Sequence, residues 1–368
     1  MLEVLTPKWY SPPRRCRQRL CRSIKPHSAL LLGNQLSHHE HDNRRTALPV
    51  IHALPTGLWD VRDLVKGTAL VPNALQIPGT LGTPNQVIKT AAIAFSPSSG
   101  LVLQRLRLPF VAIYANVWYF ADNFKVSRAS VNLDGKPGHP AIPAPPTGAG
   151  YGHNGNNGNN GTAGTDGQDG FSLPRYVFFA RGFAVGAPPP GISRPATIAD
   201  MQAIFSFDGI DGGDGGVGGA GGNGTNGNQG QPGEDGDTIL GITNCAGGPG
   251  YGGRGGNAGS GGPGGYGGNG GDGANVFIFV QPGLLDLAEA INVSVIGGAS
   301  GLQGLRGADG QPGHGGPGGT KTGACTADRP GPNGGPGPNC RYPEQLHLPG
   351  QSGNVVVAEY DGFDTELN

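Results

Sequence analysis

The chain has 368 residues, of which 72 are Gly and 33 are Pro, with 36% hydrophobic and 14% charged residues and a formal net charge of −1. That composition leaves material for only a small conventional core, and it speaks against nucleic acid as a partner, because phosphate binding needs many Lys and Arg. No run of 18 apolar residues occurs, so no membrane span is expected.

Residues 1–45 read as a disordered tail. Lys8, Arg14, Arg15, Arg17, Arg19, Arg22 and Lys25 face a single acid, Glu3, and a His-rich cluster follows (His38, His39, Glu40, His41, Asp42). A basic stretch of this kind is usually solvated, and with no core to fix its geometry the His cluster reads as adventitious metal binding at most. The longest apolar stretch of the tail, residues 29–32, is too short for a signal peptide. Residues 46–135 read as an N-terminal β region, with short apolar runs such as 91–95 and 101–108 between Pro and Gly turns.

From residue 111 onward a pattern repeats, and 136–368 read as a strand repeat interrupted by glycine-rich arms. VAIYANVWYF (111–120) and ASVNLDG (129–135) lead to an arm at 152–170; YVFFARGFAV (176–185) and AIFSFDG (203–209) lead to one at 209–236. A further arm at 247–273 leads into NVFIFV (275–280), a spacer that could hold a helix over 284–290, INVSVIGG (291–298) and the last arm, 298–319. NVVVAEYDG (354–362) then begins a fourth copy. One such unit cannot bury its apolar face alone, so the strand pairs are expected to stack as a β-solenoid or sandwich.

Within the arms Gly recurs at every third residue. A period of three fits neither an α-helix nor a β-strand but matches polyproline II, which makes no internal hydrogen bonds and is ordered here only if arms satisfy one another. The expected fold class is therefore mainly β, stacked strand pairs carrying a bundle of glycine-rich polyproline II arms. Each arm must return to the same body and is expected to double back as a hairpin; for the 28 residues of 209–236 each half would reach roughly 40 Å. The second and third arms carry two Gly in most triplets and should be central, with the first and fourth at the edges. In the third arm the remaining side chains form one stripe, Tyr251, Arg254, Asn257, Ser260, Pro263, Tyr266, Asn269 and Asp272, about 9.3 Å apart along a straight rod.

On this GxxGxxG period the arms resemble the glycine-rich bundle proteins, namely the snow flea type of antifreeze protein and the polyglycine II adhesins on some bacteriophage tail fibres. The resemblance covers about a third of the chain and implies a packed bundle of polyproline II rods. Interruption of a strand repeat by the arms departs from the antifreeze pattern and favours a display scaffold.

Chemistry-bearing motifs are sparse. GxGxxG recurs so often that it carries no dinucleotide signal, and residues 267–275 match a calcium-binding nonapeptide only loosely and without tandem repetition. No nucleophile elbow, zinc motif or triad spacing is found, so no enzyme activity and no cofactor or metal are expected. Asn160, Asn223 and Asn292 lie in glycosylation sequons that matter only in a eukaryotic secretory setting. Five Cys leave one unpaired; the loop bracketed by Cys325 and Cys340 suggests a disulfide between them.

The sequence thus points to a non-enzymatic extracellular or cell-surface structural protein whose partner is itself, as a homo-oligomer or filament. An alternative is an adhesin that meets a cell-surface glycan or protein with the face of Tyr251, Arg254, Asn257, Tyr266 and Asn269. Ice binding by the Asn and Thr faces of the first arm is a further alternative.

Overall fold

The computed structural model describes residues 45–188, 191–239, 242–338 and 345–367. The basic and His-rich tail with Cys16 and Cys21, and also Cys340, lie outside these residues.

The chain begins with β1 (Arg45–Ile51) and α1 (Trp59–Gly67), then β2 (Val71–Ile77), β3 (Thr80–Thr83), β4 (Val87–Phe95), β5 (Gly100–Leu103), β6 (Phe110–Phe120) and β7 (Lys125–Arg128). After the first glycine-rich excursion come β8 (Arg175–Ala180), β9 (Phe183–Gly186), β10 (Ser193–Pro195) and β11 (Ile204–Ser206). A hairpin of β12 (Glu234–Ile239) and β13 (Ile242–Gly247) is followed by β14 (Val276–Val280), α2 (Leu285–Glu289), β15 (Asn292–Ser294), β16 (Val355–Tyr360) and α3 (Phe363–Glu366). The fold is mainly β, and among the described residues no helix is long and apolar enough to cross a membrane.

Two parallel sheets form the body. The larger runs β1-β16-β14-β8-β6-β4-β2, with β9 beside β6 and β10 antiparallel to β9; the smaller runs β15-β11-β7-β5-β3. The chain alternates between them, β2, β4, β6, β8, β14 and β16 in the first and β3, β5, β7, β11 and β15 in the second. Consecutive strands therefore never pair within one sheet along this path, which is how stacked strand pairs produce parallel ladders from a short repeat.

Period-two burial explains the packing. One face of the large sheet aligns Ile113, Phe178, Ile278 and Val357 in one row and Val111, Tyr176, Val276 and Val355 in another. These meet Leu101, Val126, Phe205 and Val293 of the small sheet in one buried cluster. The opposite face carries Tyr114, Phe179, Phe279 and Tyr360, covered by Val61 and Val65 of α1 and by Phe363 of α3. Fully burying side chains of this size contributes roughly 1.5–3 kcal/mol each. The expected second strand at 129–135 is instead β7, which ends at Arg128; residues 129–135 already belong to the excursion.

The small sheet hands its strands outward and the large sheet takes them back. β7, β11 and β15 each continue into an extended segment, which we call rod 1 (132–146), rod 3 (208–233) and rod 5 (296–320). Rod 2 (152–170), rod 4 (250–275) and rod 6 (329–354, with 339–344 outside the described residues) return to β8, β14 and β16. Each glycine arm is thus a single rod that runs out or back, and the expected doubling of every arm on itself does not occur. Rods 1 and 6 lie outside the arms counted by glycine: in rod 1 the Gly135 and Gly138 positions pass to Ala141 and Ala144, and the triplets of both rods are rich in Pro.

Strand register continues into the rods. Ile204 of β11 lies opposite Asn292 of β15, and 88 residues likewise separate Asp211 from Ala299 and Asn226 from His314. Tyr176 of β8 lies opposite Val276 of β14, and 100 residues separate Asn154 from Arg254 and Asp169 from Asn269. The interval of 79 between Val276 and Val355 recurs between Asn269 and Leu348.

Candidate functional site

The six rods form two layers, rods 1, 3 and 5 continuing the small sheet and rods 2, 4 and 6 the large one. Donors and acceptors rise together along rods 2 and 4: the Gly155, Gly158 and Gly161 N–H groups donate to the carbonyls of Arg254, Asn257 and Ser260 at 2.7, 2.8 and 2.9 Å. Neighbours in one layer are therefore parallel. Between layers the order reverses, with Gly253, Gly256 and Gly259 donating to Asn228, Thr225 and Gly222.

Three positions recur along each rod, and rod 3 illustrates them. Asp211, Asp214, Val217, Ala220, Asn223 and Asn226 keep their side chains exposed. The residue before each donates its N–H to the other layer: Gly213 to Gln168, Gly216 to Thr165 and Gly219 to Thr162. The residue after each donates to the parallel rod 5: Gly212 to Ala299, Gly215 to Leu302 and Gly218 to Leu305, all at 2.8 Å. Both flanking positions thus touch another backbone, and a Cβ on Gly218 would overlap the Gly262 carbonyl, as one on Gly216 would overlap that of Lys136. Two Gly per triplet mark rods 3 and 4 because those rods are bonded to four others, whereas rods 2 and 5 are bonded to three.

The exposed position carries a second set of bonds. In rods 2 and 3 the Asn or Asp found there accepts, through Oδ1, the N–H of the equivalent residue on the next parallel rod. Asn154, Asn157, Asn160, Asp166 and Asp169 receive Arg254, Asn257, Ser260, Tyr266 and Asn269 at 2.6–2.9 Å. Asp208, Asp211, Asp214, Asn223 and Asn226 receive Ile296, Ala299, Leu302, Gln311 and His314 at 2.7–2.9 Å. Asp134 of rod 1 begins such a line by accepting from Asp214, and Asn257, Asn269 and Asp272 continue others to Gly335, Leu348 and Gln351 of rod 6. Each outer face is consequently a grid whose rows follow the rods and whose cross-links are the side-chain oxygens of Asn and Asp.

The stripe singled out from the sequence lies on the face of rods 2, 4 and 6. Tyr251 is 68% exposed and Arg254 is also exposed, its guanidinium 3.3 Å from the Asn257 Oδ1. Asn257 and Asn269 are half-buried, with their Oδ1 atoms engaged as described, and half-buried Tyr266 has its ring 6.3 Å from that of His347. The structure therefore brings Tyr251 and Arg254 together in the open near the far end and gives Asn257 and Asn269 a role in the cross-links. Those cross-links were legible only as a polar bias in the GNN triplets of rod 2.

At the far end, β12 and β13 join rod 3 to rod 4, and residues 321–328 lead from rod 5 to rod 6. Cys325 is bonded to Cys245 of β13, which overturns the expected pairing with Cys340. The bond ties the two chain reversals together across 80 residues. The proline-rich loop after Cys325 holds its shape without it, because Arg329, Pro332 and Gly335 accept N–H groups of Gly252, Gly255 and Ala258.

One substitution of a side chain for a backbone bond involves charge. The Gly261 N–H, which would point to rod 6, donates instead to Asp309 Oδ1 at 2.8 Å, and Arg306 pairs with the same carboxylate. The Arg306 hydrogen bond, and then that from Gly261, hold the Asp309 carboxyl below the usual carboxylate range.

In the body an open cleft of about 470 Å³ lies beside β2, β3 and β4, lined in part by Asn73, Thr83, Asn85, Lys89 and Thr90. Lys89 is 6% exposed, with its Nζ 2.7 Å from the Leu367 carbonyl, and burial lowers its pKa. Among the described residues no carboxylate, imidazole or thiol lines this cleft. Among the described residues no group of three or more His, Cys, Asp or Glu converges as metal ligands do. No protein-family model, characterised protein or solved structure matches the chain.

Proposed function

We propose that this chain is a non-enzymatic extracellular scaffold, a β-solenoid carrying a two-layered bundle of polyproline II rods that binds an extended surface through its outer faces. The observation that carries this reading is the side-chain cross-linking of those faces. Groups held at a three-residue repeat by backbone bonds on both flanks need no ordering when a target arrives, and the saving in conformational entropy favours binding. The repeat also suits a target that is itself repetitive, such as a cell-surface glycan or a protein array. The period of three and the absence of helix or strand among the described residues of the rods support the polyproline II assignment. A disulfide in a chain of this composition supports an oxidising, extracellular setting.

On this reading the contact residues are those whose side chains stand exposed on the cross-linked face, Tyr251 and Arg254 first among them, since aromatic and Arg side chains dominate recognition energetics. The test is binding of the protein to cell surfaces and to a glycan array, compared with a Tyr251→Ala/Arg254→Ala variant. Binding by the parent and a loss of tenfold or more in the variant, with an unchanged circular dichroism spectrum, is expected. Equal binding by the two would remove this face from the contact.

A further inference from the structure

The positions that bond parallel rods together differ systematically between inner and outermost rods. Among the rods followed by another in their layer, rods 2 and 3 carry Asn or Asp at most exposed positions, rod 4 carries Asn257, Asn269 and Asp272, and rod 1 carries Asp134. Where that acceptor is missing inside the bundle, the donor can be missing too: Ala163 of rod 2 stands level with Pro263 of rod 4, which has no N–H to give. The outermost rods break the pattern. Rod 5, last of its layer, has Ala299, Leu302, Leu305 and Ala308 at the exposed position, and the two Leu side chains are 72% and 74% exposed. Its next positions hold Gln303, Arg306 and Asp309, where rod 3 has Gly and rod 4 has Gly throughout but for Ala258. Rod 6, last of the other layer, has Pro332, Pro338 and Leu348.

Rod 1, first of its layer, is closed from the donor side. Beyond Asp134, its exposed positions are Pro137, Pro140 and Pro143, which offer no N–H to a preceding parallel rod. The Lys136 and His139 N–H groups, which by the rule of the other rods would serve an antiparallel one, are taken by the Thr165 and Thr162 hydroxyls, both at 2.6 Å. A rod added beside rod 2 would have to bond rod 1 through those same groups.

We infer that the outermost rods are set to stop, by Pro and large side chains where the inner rods place Asn, Asp or Gly, so that a second copy of this chain cannot extend the bundle sideways. Natural sheets protect their edges by the same means, using Pro, large side chains and missing partners. This inference stands whatever the outer faces bind.

The test compares the parent chain with an edge-opened variant, A299N/L302N/L305N/A308N/Q303G/R306G on rod 5 combined with K136G/P137N/H139G/P140N on rod 1. Sedimentation velocity over a hundredfold concentration range should show the parent as a monomer and the variant as growing oligomers. Lateral filaments of the parent, or a folded variant that stays monomeric, would overturn the inference. Should the variant not fold, an Asp211→Leu/Asp214→Leu chain, which gives rod 3 the terminal residues of rod 5, serves instead. Hydrogen exchange of the Ala299 and Leu302 amides should then rise at least tenfold, and unchanged exchange would mean that the acceptors missing from rod 5 do not hold one rod to the next, which overturns the inference.

Discussion

Asp309 shows how one residue repairs a bundle made of backbone. It supplies a carboxylate oxygen to the Gly261 N–H, whose neighbours Gly252, Gly255 and Ala258 bond carbonyls of rod 6, and Arg306 holds that carboxylate in place. Because the folded carboxyl titrates below its ordinary range, its contribution is complete above the unfolded carboxylate pKa and is lost as pH falls through the depressed value. Asp309→Ala should therefore lower the melting temperature at neutral pH and narrow the gap to the parent as the solution is acidified through the carboxylate range. Asp309→Asn, which keeps an acceptor for Gly261 but loses the charge, should fall between the two at pH 7. An Asp309→Ala deficit that stays constant down to strongly acidic pH would mean that the carboxylate charge has no part in it.

Rods obey stricter rules than strands, because the backbones of neighbouring rods lie where a Cβ would stand. A methyl group on Gly218 meets the Gly262 carbonyl with no side chain to move aside, so Gly218→Ala should cost about 1–3 kcal/mol or more. Gly248→Ala, with nothing within 4 Å of the added Cβ, should stay within roughly 0.5 kcal/mol of the parent in the same denaturant titration. At the far end, breaking the Cys245–Cys325 bond with Cys245→Ser should cost about 2–4 kcal/mol, given the 80-residue separation that it closes. Hydrogen exchange should place that loss in β12, β13 and the turn after rod 5, leaving β6, β8 and β14 protected.

The strands were legible because aromatic and β-branched clusters fix them locally: residues 176–185 hold β8 and β9, residues 275–280 hold β14, and the spacer at 284–290 holds α2. The glycine period likewise disclosed rods 2 to 5 and placed rods 3 and 4 in the middle. What stayed hidden depends on contacts far apart in the chain. Rod 1, reading GKPGHPAIPAPP, shows Gly in only two triplets, so it resembles a linker, and without it each arm had to be folded on itself. The Cys245–Cys325 pair is invisible for the same reason, since it joins two reversals that come together only when rods 3, 4 and 5 lie side by side.

At the scale of the whole molecule, body and bundle share one registry, and this makes the protein unusually sensitive to the length of its chain modulo three. β11 and β15 set the 88-residue interval that every cross-link from rod 3 to rod 5 repeats. Deleting one residue, Val217, would bring glycines to the exposed position and side chains to a buried one beyond that point, where a Cβ overlaps a carbonyl of the adjoining rod. Deleting the triplet 218–220 moves each residue to an equivalent position and shortens only the far end of rod 3. The triplet deletion should therefore unfold cooperatively a few degrees below the parent. The single deletion should lose protection along rods 3, 4 and 5 while the β body, whose core lies in the two sheets, keeps its near-ultraviolet aromatic signal. Equal damage from one residue and from three would mean that the rods are held by composition alone, without the registry inherited from the strands.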